Sequence, residues 1–120
     1  MLQETEALII NPDNTFSIER KVWDYDSIKD ALGDKWLDSV SLAPYGYMYV
    51  DDMGKMTNEP INHMASQIYK WIRGSDDFIV GTVIIFGLPD EDGDDSSVSE
   101  EALINFSLCV SNDPQFFSRG

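Results

Sequence analysis

Ten consecutive residues, Phe78-Ile79-Val80-Gly81-Thr82-Val83-Ile84-Ile85-Phe86-Gly87, are apolar and rich in β-branched side chains, and Pro89 stops the run. Branched side chains favour extended backbone, and the absence of alternation leaves no face for water. The segment is too short to cross a bilayer as a helix. It therefore reads as the central strand of a sheet covered on both faces. The rest of a 120-residue chain has to supply the neighbouring strands and both covering layers, which fits one domain and leaves no room for a second core. With 42% hydrophobic and 12% aromatic residues the material for that core is present.

The flanking elements follow from local signals. Glu6-Ala7-Leu8-Ile9-Ile10 is apolar and stops at the turn formers Asn11-Pro12-Asp13-Asn14. Residues 15–22 then alternate, with Phe16, Ile18 and Val22 on the buried side, so the two form a hairpin. Ser27 with Asp30 three residues on predicts a helix start, Ile28, Ala31 and Leu32 its apolar face, and Gly33 its end. Residues 36–42 and 45–50 read as two strands separated near Pro44. Ile61, Met64, Ala65, Ile68 and Ile72 recur at one helical face, closed by Gly74. Near the end, Ile104, Phe106, Leu108 and Val110 alternate with polar or small residues and predict a strand; Ser97 with Glu100 offers a capping box and the competing reading of a helix. The sum is an α+β domain over residues 1–110, with a mostly antiparallel sheet of five or six strands and about two helices, and a flexible tail over 111–120.

Charge is the second constraint. Acids number 22 against 8 bases, a net charge of −14, and residues 90–101 alone hold seven acids and no base. Half the net charge lies in one-tenth of the chain, which predicts an acidic loop inside the domain. Such a surface repels phosphates, so direct binding of DNA, RNA or anionic lipid is excluded. A single cysteine, Cys109, excludes an internal disulfide framework and a multi-cysteine zinc site. No long apolar run and no basic-then-apolar start is present, so the cytoplasm is the expected location, with no membrane contact.

The strand ending in Tyr49-Val50-Asp51-Asp52 with Gly54, the segment Pro60-Ile61-Asn62 with Ala65, and the glycine-bounded strand Ile79–Gly87 together resemble an uncharacterised family of small domains carried by bacteriophages and plasmids. The likeness covers about residues 8–87 and leaves the acidic run outside. It implies a compact α+β fold and a mobile-element origin in a bacterial host, and it supplies no catalytic residue.

Four constellations could carry chemistry. His63, the only histidine, and Cys109 could form a nucleophile–base pair, but no nucleophile elbow, phosphate loop or metal-ligand spacing accompanies them, so no enzyme and no cofactor is expected. Asp90, Asp92, Asp94 and Glu101 fall on positions 1, 3, 5 and 12 of a calcium loop, yet Asp95 stands where the turn glycine belongs and Ser97 where an apolar residue belongs. Metal binding is accordingly not expected there. Asp26, Asp30, Asp34 and Asp38 recur every four residues, a step of about 6 Å along a helix. With Asp90, Glu91, Asp92, Asp94, Asp95, Glu100 and Glu101 they could imitate the phosphates of DNA toward a protein that binds it. Tyr45, Tyr47 and Tyr49, on one strand face, could stack a small nucleotide-like ligand whose phosphate would need Arg20, Lys21, Lys70 or Arg73. The expected function is thus a non-enzymatic acidic accessory protein that binds a host protein with a basic surface, as a DNA mimic and inhibitor. The alternative is a small-ligand binding module.

Overall fold

A computed structural model describes residues 3–33, 37–53 and 56–118. Eight elements occur in the order β1 (Glu4–Ile10), β2 (Phe16–Val22), α1 (Tyr25–Ala31), β3 (Leu37–Ser41), β4 (Tyr47–Asp51), α2 (His63–Arg73), β5 (Val83–Phe86) and α3 (Glu100–Val110). The five strands form one sheet in the order β2-β1-β5-β4-β3, every pair antiparallel. The apolar run does supply the central strand, and all four residues of β5 are buried. The strand is shorter than the run because Gly81, at φ +74°, bends the chain, and any Cβ there would collide with the Glu59 carboxylate. Ile79 and Val80 stay buried outside the strand, while Phe78 is exposed.

Two apolar clusters lie on opposite faces of the sheet. Leu8, Ile10, Met48, Val83 and Ile85 face α2 and α3, meeting Ala65, Ile68, Leu103 and Phe106. Ala7, Ile9, Ile84 and Phe86 face Trp23 and the short α1, through Ile28 and Leu32. The alternation of one strand thus feeds both cores.

Each helix is set by a cap. Asp24 caps α1: its carboxylate accepts from Ser27 N while Ser27 Oγ accepts from Asp24 N, a reciprocal box. The helix therefore starts earlier than the Ser27 signal predicts, with Ser27 inside it. Asn62 caps α2 and is fully buried; its Nδ2 donates to Ile10 O at 3.0 Å and Gly81 O at 2.9 Å, while Oδ1 accepts from Ala65 N at 3.1 Å. One side chain so ties β1, the bend before β5 and α2 together. Ile61 precedes the cap, is exposed, and contributes a backbone bridge to Val80 rather than a helical face.

The last element corrects the sequence reading. Residues 100–110 are helical, not a strand, and Ser99 is the cap, accepting from Ala102 N at 3.0 Å. The buried positions are Ala102, Leu103, Phe106 and Ser107, a helical spacing, and Leu108 of the apparent alternation is exposed. The domain therefore has three helices rather than about two, and the acidic run leads from a strand into a helix. The segment after it is no loose tail through Phe117. Phe117 is fully buried, its N–H donates to Ser107 Oγ at 2.9 Å, and its ring meets Phe16 edge-on at 4.8 Å. Val22, expected inward, is exposed at the end of the edge strand β2.

Candidate functional site

The acidic loop is held at both ends. Gly87 N donates to Ser96 O at 2.9 Å, and a Cβ at Gly87 would strike the Ser97 carbonyl, so only glycine lets the loop return so close to β5. Beyond it, Ser97 Oγ accepts from Glu6 N at 2.9 Å and Val98 N donates to Glu6 O at 3.0 Å. Between these anchors the loop folds on Asp90, whose Oδ1 accepts from Asp92 N and Asp94 N, both at 2.9 Å. Gly93, at φ +81°, makes the turn. Oxygens of the exposed Asp90, Asp92 and Asp94 carboxylates consequently lie within 4.8 Å of one another. Glu101 is not of this group and sits in the first turn of α3. The position-12 candidate of the calcium template thus does not join the three aspartates, although the helix that follows is the competing reading the sequence offered.

These acids lie over the α1 face of the sheet. Asp90, Asp92, Asp94 and Asp95 line a cleft of about 410 Å³ with Gln3, Thr5 and Trp23. Trp23 is buried against Phe86, ring centroids 5.9 Å apart, and carries the Lys21 ammonium 4.3 Å from its ring centroid. The next residue, Asp24, opens α1, on which Asp26 and Asp30 are exposed. The tryptophan that the loop acids line thus immediately precedes the acid-bearing helix. Hydrogen bonds from Ser27 hold the Asp24 carboxyl below the ordinary carboxylate value.

Asp95 differs from its neighbours. It is partly buried, burial pushes its carboxyl pKa up, and its Oδ1 accepts from Tyr49 Oη at 3.5 Å; burial raises the Tyr49 phenol as well. Beside it runs a groove of about 480 Å³ lined by Ser39, Ser41, Tyr47, Tyr49, Leu88, Pro89 and Asp95. Ser39 pairs with Tyr49 and Ser41 with Tyr47 across β3 and β4, which puts all four on one face. The Tyr47 and Tyr49 rings stand at 79° to each other, centroids 5.4 Å apart, both against Phe86.

Other expected groupings come apart. The row Asp26, Asp30, Asp34, Asp38 is not a row: α1 ends at Ala31, Gly33 adopts φ +82°, and Asp38 lies in β3. Asp34 falls outside the described residues. Asp38 pairs with Val50, on the opposite face from Tyr49, and lines a different cleft of about 180 Å³ with Asp51, Asp52 and Asp77. Asp51 is 8% exposed; its Oδ1 accepts from Met53 N, and its Oδ2 has no hydrogen-bond partner among the described residues. Glu91 is exposed in the loop, and Glu100 and Glu101 favour the N-terminal end of α3.

The tyrosines and cations also separate. Tyr45 lies in the turn before β4 and packs on Phe106, centroids 6.1 Å apart, so it belongs to the α2–α3 face, away from Tyr47 and Tyr49. Arg20 is ion-paired with Glu4 and Glu6 at 3.5 and 3.6 Å, Lys21 rides on Trp23, and Lys70 and Arg73 lie in the last turn of α2. No described cation lines the tyrosine groove. His63 is exposed at the start of α2, and Cys109 is half-buried on α3, where burial pushes its thiol up; they line separate clefts. Sequence reasoning missed the place of Trp23 beside the acidic loop and the burial of Asp51. An Asp24-x-x-Ser27 box directly after a tryptophan was the available signal for the first; the second lies in the Tyr49–Asp52 turn that carried the resemblance, but no local pattern marks it as buried.

Fold and surface together define a small, acidic α+β domain whose all-antiparallel sheet is covered on both faces. The chain belongs to the family of a domain of unknown function, DUF3846, whose model matches residues 5–107. That match runs from β1 into α3 and so takes in the acidic run, which the sequence resemblance left outside. Among curated proteins and among solved structures, nothing matches the chain. Among the described residues, no helix is long and apolar enough to cross a membrane.

Proposed function

We propose that the protein acts by binding rather than catalysis, presenting the acidic surface around Trp23 to a basic surface of another protein that otherwise holds nucleic acid. The observation that carries this reading is the placement of the 90–95 loop acids over the same tryptophan that precedes the acid-bearing α1. A net charge of −14 would steer a basic partner from a distance, and the exposed loop carboxylates would replace its phosphate contacts. The acids form a patch rather than a phosphate-like row, so competition rests on charge density and not on an imitation of helical spacing. A mobile-element origin, implied by the sequence resemblance, would make the partner a host protein in the bacterial cytoplasm.

The test is capture of partners by the tagged protein, alongside a D90N/D92N/D94N variant and a high-salt wash. The expected partner is a nucleic-acid-binding protein, lost in both controls and displaced by added DNA. A partner retained at high salt and by the variant would overturn the reading. The second reading, a small-ligand module, is favoured by the groove at Tyr47 and Tyr49; the dispersal of Arg20, Lys21, Lys70 and Arg73 weighs against a phosphate-bearing ligand there.

A further inference from the structure

We infer that the groove between β3–β4 and the acidic loop is a binding site for a methylated ammonium group, such as that of choline or trimethyl-lysine. The inference deepens the small-ligand reading of this groove and rests on it; of the acidic loop it uses Asp95, which borders both clefts. Three features converge. Tyr47 and Tyr49 meet at 79°, which gives the groove an aromatic corner of two walls. The face of each ring is electron-rich, and a soft, weakly hydrated quaternary ammonium gains from such faces without the desolvation penalty of a bare ammonium. Leu88 and Pro89 add an apolar wall suited to N-methyl groups. Asp95 then supplies the counter-charge: its Oδ1 is 3.5 Å from Tyr49 Oη, so carboxylate and aromatic corner are adjacent.

Competing ligand classes fit less well. A phosphate or carboxylate would meet Asp95 with no described cation in the groove. A neutral apolar ligand would leave the half-buried carboxylate uncompensated. Of the described cations, Lys21 is engaged on Trp23 and Arg20 on Glu4 and Glu6, and none lines the groove.

The experiment is an NMR titration of the whole chain with choline, with its uncharged carbon isostere 3,3-dimethylbutan-1-ol, and with sodium chloride at matched ionic strength. A peptide carrying trimethyl-lysine forms a further arm and separates a protein-borne ligand from a free one by which of the two binds more tightly. The expected result is saturable binding of a quaternary ammonium in the millimolar range, with shifts centred on Tyr47, Tyr49, Leu88 and Asp95 and none from the isostere. D95N, a near-isosteric change, should weaken it about tenfold, while Y49F, which keeps the ring, should retain it better than Y49L. Equal shifts from the isostere, shifts reproduced by sodium chloride, or an unchanged affinity in D95N would each overturn the site.

Discussion

The two faces of the sheet are built differently. On one, α2 and α3, each of eleven residues, close over Leu8, Ile10, Met48, Val83 and Ile85, with Phe117 filling the edge beside Phe16. On the other, α1 has seven residues and brings Ile28 and Leu32, and aromatic rings and an acidic loop complete the cover. The first face is closed by apolar packing of aliphatic and phenylalanine side chains, whose stabilisation follows buried area. The second is closed in part by groups that are polar or charged at their tips: Trp23, Tyr47, Tyr49 and Asp95. Stability should therefore concentrate on the first face, and ligand or partner contact on the second.

The sharpest way to break that comparison is to hollow out each face in turn. Phe106→Ala, at a fully buried position of the larger core, should lower unfolding free energy by about 4 kcal/mol. Ile28→Ala, at a buried position under the short helix, should cost about 2 kcal/mol, because a seven-residue element can settle into the cavity. Urea unfolding monitored by tryptophan fluorescence measures both, and equal losses would mean that the faces share stability evenly.

Asn62 tests what joins the layers. Asn62→Ala removes a helix cap and leaves the Ile10 and Gly81 carbonyls and the Ala65 N–H buried without their partner, a loss of about 2–3 kcal/mol. Asn62→Asp should be nearly as harmful, since a carboxylate cannot donate to either carbonyl. If the aspartate variant matched wild type, the two donated bonds would carry no weight.

The smallest effect sharpens the electrostatics of the acidic face, where two aspartates have opposite signs. Burial raises the Asp95 carboxyl pKa, so its native form is favoured at low pH and that advantage is lost as pH rises through the raised value. Asp95→Asn should then be more stable than wild type at neutral pH, with the gain vanishing below the ordinary carboxylate range. Asp24 is held low by Ser27, so its contribution is present above that range and disappears as pH falls through its native value. Asp24→Ala should be less stable at neutral pH, with the deficit narrowing in acid. Thermal unfolding of the three proteins across pH checks both, and parallel curves would remove the distinction.

What could be read in the sequence divides along similar lines. Long-period signals survived: the apolar run became β5, the hairpin formed around Asn11–Asn14, and the face of Met64, Ala65 and Ile68 became α2 between Asn62 and Gly74. These are set by many residues acting together. The terminal helix was misread because Phe106 and Val110 satisfy both a two-residue and a four-residue period, and the deciding residue was one capping serine, Ser99, rather than Ser97. Much less of the candidate site was legible. The association of Asp95 with Tyr49, and of the acidic loop with Trp23, depends on contacts across more than 40 residues of chain that no local pattern encodes. The aspartate row failed for a local reason: Gly33 ends α1 before the third member is reached.

Phe117 bears on where this domain ends. The family match stops at residue 107, whereas the core does not: the Ser107 hydroxyl, at that very boundary, receives the N–H of Phe117, whose ring fills the space beside Phe16. A chain trimmed to the matched span would keep β2 to β5 and all of β1 but Glu4, and yet open a phenylalanine-sized hole under the β-hairpin. Residues 111–118 thus act as a plug, and the folding unit is longer than its family signature.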